Sequence, residues 1–276
     1  MALILKGAGY AYQAGTSVEH RALADVSLEI GAGDLLAVFG PTGSGKSTLL
    51  SLMAGLVTPT EGSVSVDGLE LLSREAVRFR KSVGLVFQDP ESQFFADTVL
   101  ADAAFGPRNR GMSEVETDAA ARDALALVGL GEEFHPRSPF SLSGGEARRA
   151  AIAGVVAMRP AYLLLDEPTA GLDAPGRAAV IEIVCRARES AGVVVVSHDP
   201  DTFLPLATRV LYLRDGRPVF SGDARAYAQA PPADAPVPEV VRAQALATRH
   251  GAASGSVTFD PVEAARRLAG AAGWPR

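Results

Sequence analysis

An α/β fold built around a mostly parallel sheet is what this chain of 276 residues predicts, and three observations predict it. Four apolar runs, Leu35 to Phe39, Val83 to Phe87, Tyr162 to Leu165 and Val193 to Val196, lack the alternation of half-exposed strands and read as strands buried on both faces. Each run breaks off at glycine or polar residues, namely Gly40, Gln88, Asp166-Glu167 and Ser197-His198. Ligands in open α/β sheets bind beyond the carboxyl ends of the strands, so four strand ends point at one site. An apolar content of 47% over this length supplies one large domain and a smaller appendage.

Taken in order, the first elements differ from the buried runs. Val26 to Ile30 and Val64 to Val66 alternate polar with apolar residues and are bounded by Gly31, Gly33 and Asp67-Gly68, which predicts an antiparallel flank near the N-terminus. Leu49 to Ala54 carries a helical pattern. Between Asp89 and Pro160 the patterns are helical, notably Glu114 to Val128 ending at Gly129, which predicts an inserted helical subdomain over about 89–160. After Gly222 the composition shifts to Ala and Pro, and Ala230 to Pro236 reads as a linker. Asp260-Pro261-Val262-Glu263 then offers a cap, a proline at the first helical position and a Glu three residues past the cap, the start of a short helix ending near Gly270. The expected division is a main domain over 1–222 and a linker with a C-terminal extension over 223–276.

The loop Gly40-Pro41-Thr42-Gly43-Ser44-Gly45-Lys46-Ser47-Thr48 joins a buried strand to a helix, the setting of a phosphate-binding loop. Its glycines let successive N–H groups turn inward, and these donors, the positive helix end and the Lys46 ammonium offset the charge of β- and γ-phosphates. The Ser47 hydroxyl is placed to ligate Mg²⁺. A carboxylate such as Asp166 at the end of a buried strand is costly unless it meets a cation, and nucleotide-bound Mg²⁺ supplies one. Glu167 follows it, placed to polarise an attacking water as general base. A second anion site opens at Ser141-Leu142-Ser143-Gly144-Gly145-Glu146, where the Ser143 hydroxyl and the backbone amides begin another helix.

Charge and cysteine content narrow the partners. The net charge of −6 argues against nucleic acid, which needs an excess of Lys and Arg. Cys185 alone excludes an intrachain disulfide and a thiolate cluster. The N-terminus lacks the basic start and apolar stretch of a signal peptide, so the chain is expected to stay inside the cell. With no run near the roughly 20 residues that span a bilayer, any membrane role passes through a partner. His20, His135 and His250 read as structural.

Leu142 to Gly145 matches the Leu-Ser-Gly-Gly-Gln signature of the ATP-binding-cassette family with Glu146 in place of Gln, and, lying shortly before Tyr162 to Glu167, makes the chain resemble that family from about Leu3 to Gly222. The resemblance implies a P-loop NTPase core of the RecA-like kind. It implies that ATP with Mg²⁺ is bound and hydrolysed between two ATPase subunits, alike or different, paired head to tail. Ser143, Gly144 and Gly145 of one would clamp the γ-phosphate held by the phosphate loop of the other. It makes Asp166 a Mg²⁺ ligand, Gln88 a contact of Mg²⁺ or water, His198 a γ-phosphate switch, and Asp173, in Ala170-Gly171-Leu172-Asp173, part of the loop that crosses the dimer. Tyr12 is placed to stack on adenine, with Tyr10 as rival.

The stretch Asp89-Pro90-Glu91-Ser92-Gln93-Phe94-Phe95, with Phe105 to Asn109 and the Val237 to Val240 tail, is similar to ATPases of energy-coupling-factor importers and related cobalt and nickel importers. That implies a transmembrane coupling subunit, a membrane-embedded substrate-binding subunit and a place on the cytoplasmic face of the membrane. Phe94, Phe95 and Phe105 read either as a docking groove or as core of the helical subdomain. Arg148-Arg149 fits the same subgroup, although a solvated helix face has the same pattern. The competing function is a soluble cassette ATPase acting on nucleic acid, or a regulatory module.

Overall fold

A computed structural model describes residues 2–249 and 257–271. The main sheet has the order β10-β9-β3-β8-β7-β6. Its strands are β3 (Leu35–Phe39), β6 (Val83–Val86), β7 (Tyr162–Asp166), β8 (Gly192–Val196), β9 (Arg209–Arg214) and β10 (Arg217–Asp223). The first five pair parallel and β10 joins β9 antiparallel. Val193 to Val196 are completely buried, as the absence of alternation requires. A second, antiparallel sheet has the order β2-β1-β4-β5, from β1 (Ala2–Tyr12), β2 (His20–Gly31), β4 (Glu61–Val66) and β5 (Leu69–Glu70). This is the expected N-terminal flank.

One expected strand is shorter than predicted. Pairing of β6 with β7 ends at Val86 opposite Leu165, and the Phe87 amide donates instead to Gln93 Oε1 at 3.2 Å, which turns the chain and leaves Phe87 exposed. The helices in the first half are α1 (Lys46–Met53), α2 (Ala76–Ser82), α3 (Val99–Asn109), α4 (Glu114–Leu127) and α5 (Gly144–Val156). α3, α4 and α5 form the helical insertion. Its apolar faces, among them Val99, Ala121, Leu125, Ile152 and Val155, share one core with the β6–β8 side of the main sheet and with α6 (Ala174–Arg188).

A second core lies between the two sheets around α1, with Leu3, Val26, Leu49, Leu52, Phe79 and Val196 buried in it. Beyond the short α7 (Pro200–Phe203), the C-terminal part builds α8 (Ala224–Gln229), α9 (Glu239–Arg249) and α10 (Pro261–Ala271). Residues 230–236 carry no helix or strand but are tied down, because Tyr227 Oη donates to Pro236 O at 2.9 Å and Arg214 donates to Ala233 O at 2.6 Å. Asp260 caps α10 by accepting from the Val262 and Glu263 amides. The expected reciprocal bond from Glu263 is replaced, since its carboxylate takes Thr258 Oγ1 at 2.8 Å and Arg267. His250 lies outside the described residues.

Candidate active site

The turn from β3 into α1 is shaped by two glycines. Gly45, the N-cap of α1, has φ +98°, and a Cβ there would stand 2.5 Å from the Ala22 carbonyl oxygen; at Gly40 a Cβ would meet Leu213 O and Ser44 Oγ. Only glycine tolerates that backbone and that approach. Lys46 folds over the loop, its Nζ donating to Gly40 O at 2.8 Å and Pro41 O at 3.0 Å. Burial pulls its pKa down, while the Glu167 and Asp166 charges oppose that pull.

Residues from six segments meet in one cleft of 340 Å³. Its walls are Thr42, Gly43, Gly45, Lys46, Ser47 and Thr48 of the loop, Tyr12, His20 and Ala22 of the antiparallel sheet, and Gln88, Asp166, Glu167 and His198 from the strand ends. Tyr12 Oη lies 3.2 Å from Thr48 Oγ1, whereas Tyr10 packs edge-on against Tyr12 and faces the core between the sheets. Of the two tyrosines, Tyr12 is the one that lines the cleft. His20, expected to be structural, is a cleft wall because the β1–β2 register sets it opposite Tyr12.

Ser47 Oγ donates to Asp166 Oδ2 at 3.0 Å. Glu167 stands beside them with φ +49°, a left-handed conformation uncommon outside glycine. Its amide donates to Val196 O at 3.0 Å, its Oε2 accepts from the His198 amide at 3.4 Å, and its buried Oε1 accepts no hydrogen bond. The nearest basic group to that oxygen is His198 Nε2 at 3.5 Å. Burial pushes the Asp166 carboxyl up, against the Ser47 bond and the Lys46 charge, and it pushes Glu167 up against the His198 contacts. A hydroxyl, a buried carboxylate and an unsatisfied carboxylate oxygen on one wall form a hard-oxygen set that fits a divalent cation, which would offset the cost of ionising both acids.

The remaining expected residues lie elsewhere. Ser143 caps α5, accepting from the Glu146 amide at 3.4 Å, while Glu146 Oε2 accepts from the Ser143 amide at 2.7 Å. Glutamate thus completes a capping box. Asp173 caps α6 through the Gly176 amide at 2.9 Å. Neither they nor Gly144 and Gly145 line the cleft. Arg148 was legible only as one of a basic pair; it is half-buried and donates to Glu167 O and, at 2.9 Å, to Gln88 O, so it is no part of a solvated face.

The ABC transporter family model matches residues 23–170, the span that carries the loop, Gln88, the capping serine Ser143 and both carboxylates. The chain belongs to the ABC transporter ATPase family. This ABC ATPase is 48% identical over 227 residues to the energy-coupling factor transporter ATP-binding protein EcfA2 of Streptococcus pyogenes serotype M5 (strain Manfredo), covering 80% of this chain and 81% of that one. Its fold matches cbiO1 from Clostridium perfringens, part of the ABC transporter complex cbiONQ, with TM-score 0.70 and 33% identity over 81% of this chain and 89% of that one. It also matches a dimeric ATP-binding cassette in a post-hydrolysis state bound to ADP and Pi, with TM-score 0.74 and 31% identity over 82% of this chain and 99% of that one.

Proposed function

We propose that this ATPase powers uptake by an energy-coupling-factor-type importer of a vitamin or a transition-metal ion. It would sit on the cytoplasmic face of the membrane, paired with a second ATPase subunit beneath a transmembrane coupling subunit and a membrane-embedded substrate-binding subunit. The observation that carries this reading is a groove of 490 Å³ next to the Gln88 loop, between the main sheet and the helical insertion. Val77, Phe95 and Phe105 line it and stay exposed at 61%, 57% and 42%, with the two phenyl rings 4.2 Å apart. Phe94 instead is buried in the insertion core. Exposed aromatics gathered in a concave strip mark a protein contact. Among the described residues no helix is long and apolar enough to cross a membrane, so a membrane partner would have to come to this groove.

In the cleft, Lys46 and the loop amides would hold the β- and γ-phosphates and Tyr12 the adenine. Ser47 and Asp166, with Gln88, would hold Mg²⁺, whose charge stabilises the phosphates when bound. Glu167 would accept the proton of the attacking water and His198 would steady the γ-phosphate. Phe95→Glu tests the docking reading: co-purification with the membrane subunits should fall at least ten-fold while ATPase activity of the purified chain stays within two-fold of wild type. Equal loss of both would assign Phe95 to the fold rather than to docking.

A further inference from the structure

Three segments far apart in sequence converge on one guanidinium. Arg148 lies in α5, five residues after the Ser143 cap, while neighbouring alanines and Ile152 of the same helix are buried in the insertion core. Its Nη1 donates to the carbonyl of Glu167 and its Nη2 to the carbonyl of Gln88. β6 and β7 pair parallel with Val86 opposite Leu165, so Gln88 and Glu167 each stand two residues beyond the last pair of that ladder. At that level the two chains have stopped bonding each other. The planar fork of an arginine replaces the missing rung, with two donors in fixed geometry where a lysine offers a point charge.

The acceptor on the β7 side is the carbonyl of a residue held at φ +49°. A non-glycine residue persists there only when its surroundings over-determine it. Three contacts of Glu167 do so: its amide donates to Val196 O, and its carbonyl accepts from the Ala170 amide at 3.2 Å and from the Arg148 guanidinium. Together they set the direction in which the carboxylate leaves the backbone, toward His198.

We infer that Arg148 is a positioning residue that fixes the Glu167 backbone and the Gln88 loop to the helix headed by Ser143. The inference rests on the proposed reading of Glu167 as the hydrolytic carboxylate. Arg148 touches neither phosphates nor cation in this role, since it does not line the cleft. Its loss should therefore lower turnover without weakening nucleotide binding. A misplacement of about 1 Å in a reacting group costs on the order of 100-fold in rate, which sets the upper end of the expected loss.

The test uses the purified full chain with MgATP. Arg148→Ala should lower kcat at least ten-fold with KM for ATP within two-fold, Arg148→Lys should recover part of the loss, and amide exchange from Gln88 to Phe95 should quicken at least ten-fold in Arg148→Ala. On a Glu167→Gln background, Arg148→Ala should change single-turnover hydrolysis by less than two-fold, because the carboxylate it positions is gone. Unchanged kcat with unchanged loop exchange overturns the inference, and so does a loss carried over in full on the Glu167→Gln background. Should Arg148→Ala fail to melt cooperatively, Arg148→Gln is read by the same criteria. Wild-type turnover in Glu167→Gln alone would instead remove the carboxylate reading, and the loop-exchange result would then judge the Arg148 staple by itself.

Discussion

Glu167 is buried, left-handed and raised in pKa by that burial, and each of these has a measurable sign. A carboxyl whose folded pKa lies above its unfolded value stabilises the fold below the ordinary carboxylate range. That contribution disappears as pH climbs through the folded value. At neutral pH the folded chain thus bears the cost of an ionised, poorly solvated acid. Glu167→Gln should melt higher than wild type at pH 7.5 without nucleotide, by about 2–4 °C for each 1 kcal/mol relieved in a chain of this size. The gap should narrow as pH falls toward 4, where wild type takes up its own proton. Melting curves across that range check this, and a gap that widens on acidification would contradict it. Lys46 answers a separate question. Its two donations to the Gly40 and Pro41 carbonyls keep the ammonium over the loop, and charge-assisted bonds contribute about 1.5–3 kcal/mol each. Lys46→Ala should weaken ATP binding on the order of 10- to 100-fold in calorimetry.

At the scale of elements, α4 and α5 form a natural control pair. Both begin with a complete capping box, Ser113 with Glu116 and Ser143 with Glu146. Replacing such a serine by alanine costs about 1 kcal/mol. Ser113→Ala should lower the melting temperature by a few degrees and leave turnover unchanged, because α4 opens onto solvent. Ser143→Ala should show the same thermal loss and in addition lose turnover, if its hydroxyl serves the second anion site proposed at the head of α5. Equal turnover in the two variants would reduce Ser143 to a cap.

The sequence disclosed these elements unevenly, for physical reasons. The parallel strands were legible because burial on both faces leaves an unbroken apolar run, and the phosphate loop because glycine is required at close approaches such as Gly45. The hairpin of β9 and β10 escaped: β10 exposes every other residue, and its apolar stretch is only Pro218-Val219-Phe220 between polar and glycine residues. α9 escaped too, since Val237-Pro238 before it reads as loop while its few buried side chains meet a core supplied by Phe39 and Tyr212 from distant strands and by Tyr227 of α8. The Arg148 contacts span 60 and 19 residues and end on backbone carbonyls, which carry no residue-type signal. His20 became a cleft wall through a register that a single strand does not reveal.

The two anion sites proposed for this chain do not meet within it. Gly144 is exposed, with open space where a Cβ would stand, and the α5 head lies outside the cleft built by the phosphate loop. A single chain therefore leaves a γ-phosphate in its cleft without the second set of amides, and a second chain turned head to tail would supply it. Two such clefts per pair would each gain charge-assisted bonds on closing, roughly 1.5–3 kcal/mol apiece. Hydrolysis would remove the γ-phosphate and with it that gain, so a chain that binds ATP but cannot turn it over should stay paired. Glu167→Gln with MgATP is accordingly expected to double in mass from 28.6 kDa in light scattering, while the same protein with ADP stays single. Gly144→Asp adds a carboxylate at the second site without crowding the monomer. In the Glu167→Gln background it should abolish the doubling while ATP binding persists within about two-fold, because like charges repel across the closing interface. A Glu167→Gln chain that stays single with MgATP would refute pairing of identical subunits. Doubling that survives Gly144→Asp would show that the pair is held together by some other surface.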